Sequence, residues 1–185
     1  AKLLIFLHGF STQKTKMQNY YYFIKEAVKR GYSCAFLNLP LHLNRSEDQS
    51  GSSRDLIYYD DVDTLKYFHQ CVVDIKRLMD IAELEKWPLG SIHICGLSMG
   101  SMISVLAMAH DQRIEKGILL IGGGHWEQIH WKGILRFILK GDCADDGRIS
   151  RDKCHHYYST FPAFLQKLKQ ANPDHIDTKD LDWLS

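Results

Sequence analysis

Apolar residues gather in four short runs along the chain: KLLIFL (2–7), SCAFLNL (33–39), SIHIC (91–95) and GILLIG (117–122). The first and last are nearly continuous, the pattern of strands buried on both faces of a parallel sheet. Between the runs the period changes. In MQNYYYFIKEAVKRG (17–31), Tyr20, Phe23, Ile24, Ala27 and Val28 recur at helical spacing, and Gly31 supplies a stop. The longer stretch 60–87 repeats Val62, Leu65, Phe68, Val72, Ile75, Met79 and Ala82 at a period near 3.6. Its acidic start suits the helix dipole, and Pro88 follows its end. MGSMISVLAMAH (99–110) reads as a short, largely buried helix. Strand and helix in alternation predict βαβ units and a doubly wound, mostly parallel α/β sheet. Residues 39–55 read as a polar connection, expected on the surface, and residues 123–185 hold helical and loop-like patterns rich in aromatics, with no further strand expected. The expected organisation is therefore a core over 1–122 followed by a separate segment over 123–185.

Composition narrows the classes of function. The 185 residues are enough for one domain with a proper core, and 45% hydrophobic with 24% charged residues is ordinary for a globular protein. A net charge of +1 gives no electrostatic case for nucleic acid, which calls for a clustered basic face. No apolar stretch approaches the roughly 20 residues that span a bilayer. Cys34, Cys71, Cys95, Cys143 and Cys154 are odd in number and share no repeated spacing, so neither a disulfide scaffold nor a zinc site is expected. That usage fits a reducing, cytoplasmic compartment, with Cys143 and Cys154 left able to pair across their polar loop. The chain opens as AKLLIFLHGF, without Met and already inside an apolar run, and reads as an excerpt or processed product.

The chemistry concentrates in HICGLSMGSM (93–102), where Gly96-Leu97-Ser98-Met99-Gly100 joins a predicted strand to a predicted helix. A GxSxG pattern is weak alone and specific in that setting. A serine lifted clear of the sheet on a tight turn needs residues two before and two after it without side chains, and small Ser101 relieves crowding beside Gly100. Such a turn costs on the order of 1–3 kcal/mol of strain, and the helix start favours developing negative charge. A second motif, His8-Gly9-Phe10, ends the first strand.

Together these motifs resemble the α/β-hydrolase family, in which an HG-containing loop follows the third strand and the nucleophile elbow follows the fifth. The resemblance covers most of residues 2–122 and implies that both loops meet beyond the carboxyl ends of neighbouring strands, where strand order reverses. It further implies that Ser98 is the nucleophile and that the backbone N–H groups of Met99 and Phe10 form the oxyanion hole. Serine, where dehalogenase relatives carry Asp, implies a carboxylic ester cleaved through an acyl-enzyme, without metal or organic cofactor. Thioesters and peptides share that chemistry, and a non-catalytic binding or scaffold protein on the same fold is the alternative. His8 is expected to pack its own loop rather than shuttle protons, and His93, within a strand, to be a hydrogen-bonded core residue.

A serine nucleophile needs a base and the base an acid, in the chain order Ser, then Asp or Glu, then His. Two readings remain open. In one, the chain carries strands three to six of the family and the catalytic His and Asp lie beyond Ser185. In the other, GGGHWEQIHW supplies His125, Glu127 and His130 just after the last strand, with Glu127 as the local acid. Residues 123–185 resemble the helical cap inserted after the sixth strand. Its helix 131–141 and the aromatics of 155–170 would roof a pocket for a small-molecule ester with an apolar acyl or aromatic group. The basic face of 131–141 also fits an anionic membrane surface, though with a small footprint.

Overall fold

The four predicted strands form, and all run parallel. In this computed structural model β1 (Lys2–Leu7), β2 (Tyr32–Leu37), β3 (Ser91–Leu97) and β4 (Ile114–Leu120) make one sheet in the order β2-β1-β3-β4. They alternate with α1 (Met17–Lys29), α2 (Asp61–Leu84) and α3 (Met99–His110), the α/β class expected from the alternating periods. Short 3-10 turns at Lys14–Lys16 and Leu43–Arg45 complete the described elements. The structure describes residues 2–10, 12–46, 61–87 and 89–122, together with Ala163 and Gln166, each in helix. The chain divides into two units, Ala1–Gly123 and Gly124–Ser185. The expected cap, with His125, Glu127, His130, Cys143 and Cys154, lies outside the described residues.

The core follows from strand alternation. Leu4 and Phe6 of β1 and Cys95 of β3 face Tyr20 and Ala27 of α1, whereas Gly117 of β4 and Ile94 of β3 face Met108 of α3. Helices thus cover both faces of the sheet. Leu3, Ile5, Leu7, Ile94 and Ile103 are fully buried, as are Ile75 and Met79 of α2, which packs against α3. From Phe68 to Ala82 the predicted stripe of α2 is buried, widened by Tyr67 and Cys71.

Several details differ from the sequence pattern. β2 ends two residues before the predicted 39, β4 starts three before the predicted 117, and Leu39, His42 and Leu43, expected in a surface connection, are buried. β3 runs two residues past the predicted 91–95, through Gly96 to Leu97, because its ladder with β4 continues to the Leu97–Leu120 pair. β4 is not buried on both faces: it is the last strand of the described sheet, and Ile118 and Leu119 are exposed. Among the described residues β4 has a strand neighbour on one side only. The apolar stripe of α1 is only half used, since Tyr20 and Ala27 pack on the sheet while Phe23 and Val28 stay exposed. Among the described residues no helix is long and apolar enough to cross a membrane.

Candidate functional site

Strand register assembles the site. Leu7 pairs with Gly96, so the chain leaves β1 at His8 beside the point where β3 delivers Leu97 and Ser98. From β1 the next strand lies to one side and β3 to the other, so these two loops leave the sheet where strand order reverses, the place where open α/β sheets take ligands.

The turn between β3 and α3 is as tight as steric reasoning requires. Ser98 holds φ 54° and ψ −116°, a left-handed conformation that side chains avoid. A Cβ on Gly96 would run into the carbonyl of Gly100, and one on Gly100 would lie 2.5 Å from the Leu7 oxygen and 2.7 Å from that of His8. Two more glycines close on the serine. A Cβ on Gly9 would sit 3.5 Å from the Ser98 Cβ, and one on Gly122 would sit 2.7 Å from the Ser98 backbone carbonyl oxygen. Although Ser98 immediately precedes α3, its side chain makes no capping hydrogen bond. The backbone is held instead: Ser98 N–H donates to Leu120 O at 2.7 Å, and Ser101 N–H donates to Ser98 O at 2.8 Å. The buried Ser101 hydroxyl lies 2.6 Å from Gly96 O and 2.8 Å from Leu120 O, tying α3 to both flanking strands.

Met99 opens α3, where the first N–H groups have no intrahelical acceptor and the helix dipole favours an anion. Its side chain is buried, with Sδ 3.8 Å from the hydroxyl of Tyr67. Tyr67 is itself buried, and that desolvation pushes its hydroxyl well above the usual phenol range, so it stays a neutral donor.

On the opposite loop His8 is fully buried and committed at both nitrogens. Nδ1–H donates to Gly9 O at 2.9 Å, which leaves Nε2 to accept Leu39 N–H at 3.2 Å. Burial lowers its pKa to about 4, with a smaller contribution in the same direction from nearby His42. His8 therefore fastens the end of β1 to the segment after β2, the packing role expected of it. His93 is buried too, with Nδ1 3.3 Å from the Tyr32 hydroxyl.

Several contributors carry no sequence signal of their own. His42 is buried 4.9 Å from His8, ring to ring, and 6.2 Å from the Phe10 ring. Its Nδ1–H donates to Pro40 O at 2.9 Å, leaving Nε2 without a hydrogen-bond partner among the described residues. Burial holds its pKa below the usual value. It sits between Leu41 and Leu43, both left-handed at φ 59° and 54°, so strain accumulates on this side of the site also. Thr12 and Tyr20 complete the loop after β1: the Thr12 hydroxyl donates to Gly9 O at 2.7 Å and lies 2.8 Å from the Tyr20 hydroxyl. In sequence Tyr20 is one more apolar position on α1, and Thr12 is an ordinary loop residue. Among the described residues no group of three His, Cys, Asp or Glu side chains could hold a metal ion. The described thiols of Cys34, Cys71 and Cys95 are free.

No family model and no curated protein matches the chain. Among solved structures, the Pyrococcus furiosus esterase Pf2001 is similar with a TM-score of 0.51 at 19% identity, over 72% of this chain and 46% of that one. An uncharacterized protein from Bacillus cereus ATCC 10987 aligns with a TM-score of 0.46 at 18% identity, over 76% of this chain and 40% of the other. The chain spans less than half the length of either. What the first likeness defines is the class: an α/β chain with an esterase-like fold.

Proposed function

We propose that the chain belongs to a serine hydrolase cleaving carboxylic esters, with Ser98 as the nucleophile. One observation carries this reading: Ser98 stands in a left-handed conformation at the carboxyl end of β3, and its side chain does no capping work. A serine placed there only to start a helix would gain by capping it and would avoid the strain. In the proposed step the Ser98 oxygen bonds to the ester carbonyl carbon, and the carbonyl π electrons move onto oxygen. The N–H groups of Phe10 and Met99 stabilise that oxyanion; losing one such donor typically costs about 2.7–4 kcal/mol. Collapse breaks the bond to the alcohol oxygen, which takes up the proton the base removed from Ser98, and water then releases the acid from the acyl-enzyme.

The His that takes the Ser98 proton and its acid are assigned, in this reading, to residues beyond Ser185. Glu127 is retained as the local alternative acid. His8 does not suit the role of base, because both of its nitrogens are engaged in the backbone. The apolar or aromatic acyl group, the cap that would enclose it and a cytoplasmic setting are parts of the same proposal. Labelling of the full-length protein with a fluorophosphonate tests it. We expect labelling of wild type and none of Ser98→Ala; no label on wild type, or equal labelling of both, favours a non-catalytic protein on this fold.

A further inference from the structure

We infer that Thr12 and Tyr20 are positioning residues for the Phe10 N–H, acting through a closed ring of hydrogen bonds around Gly9; this rests on the hydrolase reading above. The direction of each bond follows from proton count. Thr12 has one hydroxyl hydrogen and gives it to Gly9 O at 2.7 Å. The 2.8 Å contact between the two hydroxyls must then run from Tyr20 to Thr12. Tyr20 has thereby used its own hydrogen, and its oxygen accepts Gly9 N–H at 3.4 Å. The circuit closes from Gly9 N–H through Tyr20 and Thr12 back to Gly9 C=O, each hydroxyl donating and accepting once. Bonds in such a chain polarise one another.

The consequence reaches Phe10 through covalent geometry. Gly9 C=O and Phe10 N–H belong to one planar trans peptide unit and point in opposite directions. A carbonyl held by Thr12 on one side and by His8 Nδ1–H at 2.9 Å cannot rotate, so neither can the N–H of Phe10. The ring is itself well anchored. Thr12 is buried, and the Tyr20 ring stands edge-on to Phe6 at 5.7 Å and to Phe36 at 5.6 Å. Gly9 lies directly against Ser98: a Cβ on it would be in ordinary contact with the Ser98 Cβ, at 3.5 Å. A donor aimed in advance stabilises charge that develops only in the transition state. Loosening it should therefore slow turnover without weakening ground-state binding.

The test uses the full-length protein with two probes, a fluorophosphonate and p-nitrophenyl acetate. Thr12→Val and Tyr20→Phe should each lower the labelling rate and kcat on the order of tenfold, with KM within about twofold. Thr12→Ser restores the hydroxyl and should return the rate to within about threefold of wild type. If Thr12→Val does not fold, Tyr20→Phe opens the same ring with less change of shape. Wild-type rates in the folded variants overturn the inference, as does Thr12→Ser proving as slow as Thr12→Val, or KM rising in step with the fall in kcat. A wild-type protein inert to both probes overturns the hydrolase reading, and this inference with it.

Discussion

Gly100 and Leu7 touch backbone to backbone: a Cβ on the glycine would come 2.5 Å from the leucine carbonyl oxygen. The first turn of α3 is thereby seated directly on the end of β1, which brings the residues around Ser98 against the His8–Gly9 loop. Neither neighbour is a flexible side chain that could yield. Gly100→Ala should cost about 1–3 kcal/mol through overpacking, read from the urea midpoint. A shift of a few tenths of a kcal/mol would show that the helix start gives way freely.

Stability and reactivity should oppose each other at Ser98. Glycine accepts φ 54° without steric cost, so Ser98→Gly releases strain of about 1–3 kcal/mol against a glycine penalty of about 0.5–1 kcal/mol. We expect Ser98→Gly to be more stable than wild type by about 1 kcal/mol, Ser98→Ala to change little, and both to lose fluorophosphonate labelling. Denaturation of the three proteins side by side decides it; equal stability of the Gly and Ala variants would mean that the strain is absent in solution.

Ser101 is held between two carbonyls, those of Gly96 and Leu120, and the second also accepts Ser98 N–H. Ser101→Ala removes the one buried hydroxyl hydrogen that the two carbonyls share and should cost roughly 1–2 kcal/mol. Because Leu120 O loses one of its donors beside Ser98, labelling should slow as well. Full stability in Ser101→Ala would contradict the bonding described.

Acid should loosen the loop after β1. Native His8 titrates at about 4, against 6.5 for an exposed histidine. Between those values the unfolded chain binds the proton and the folded one does not, so stability falls as pH drops from about 6.5 to 4. Below that range both states carry the proton and this contribution no longer changes. The full loss amounts to roughly 3 kcal/mol, and His42, also lowered by burial, adds in the same direction. Urea titrations across this range should show the slope in wild type and a flatter one in His8→Asn. Identical slopes would place the titration elsewhere.

The boundaries of α3 are those read from MGSMISVLAMAH, and β1 spans the predicted 2–7. Both segments carry an apolar pattern regular enough for local periodicity to decide their form. The tight spacing around Ser98 was legible for a related reason: adjacent backbone atoms impose it, and Gly96 and Gly100 lie two residues from the serine. Edge exposure was not legible. GILLIG is as apolar as KLLIFL, yet β4 is exposed and β1 is buried, because burial depends on strand order in the sheet.

The surroundings of the site were hidden in the same way. Nothing local to LPLHLNRS says that the His42 ring lies against His8, and nothing in MQNYYYF separates Tyr20 from Tyr21 and Tyr22. Tyr20 faces the sheet beside Thr12, while Tyr21 and Tyr22 face solvent. Periodicity and glycine spacing record what a residue's chain neighbours require, so the sequence by itself determined the strand–helix alternation and the turn carrying Ser98. The Tyr20 hydrogen bonds, 8 and 11 positions apart, exist only once α1 packs on the sheet, and the His8–Leu39 bond, 31 apart, only once β1 and β2 pair in register. That register, decided by packing across the whole sheet, makes Gly9 the point on which the loop after β1 is fixed.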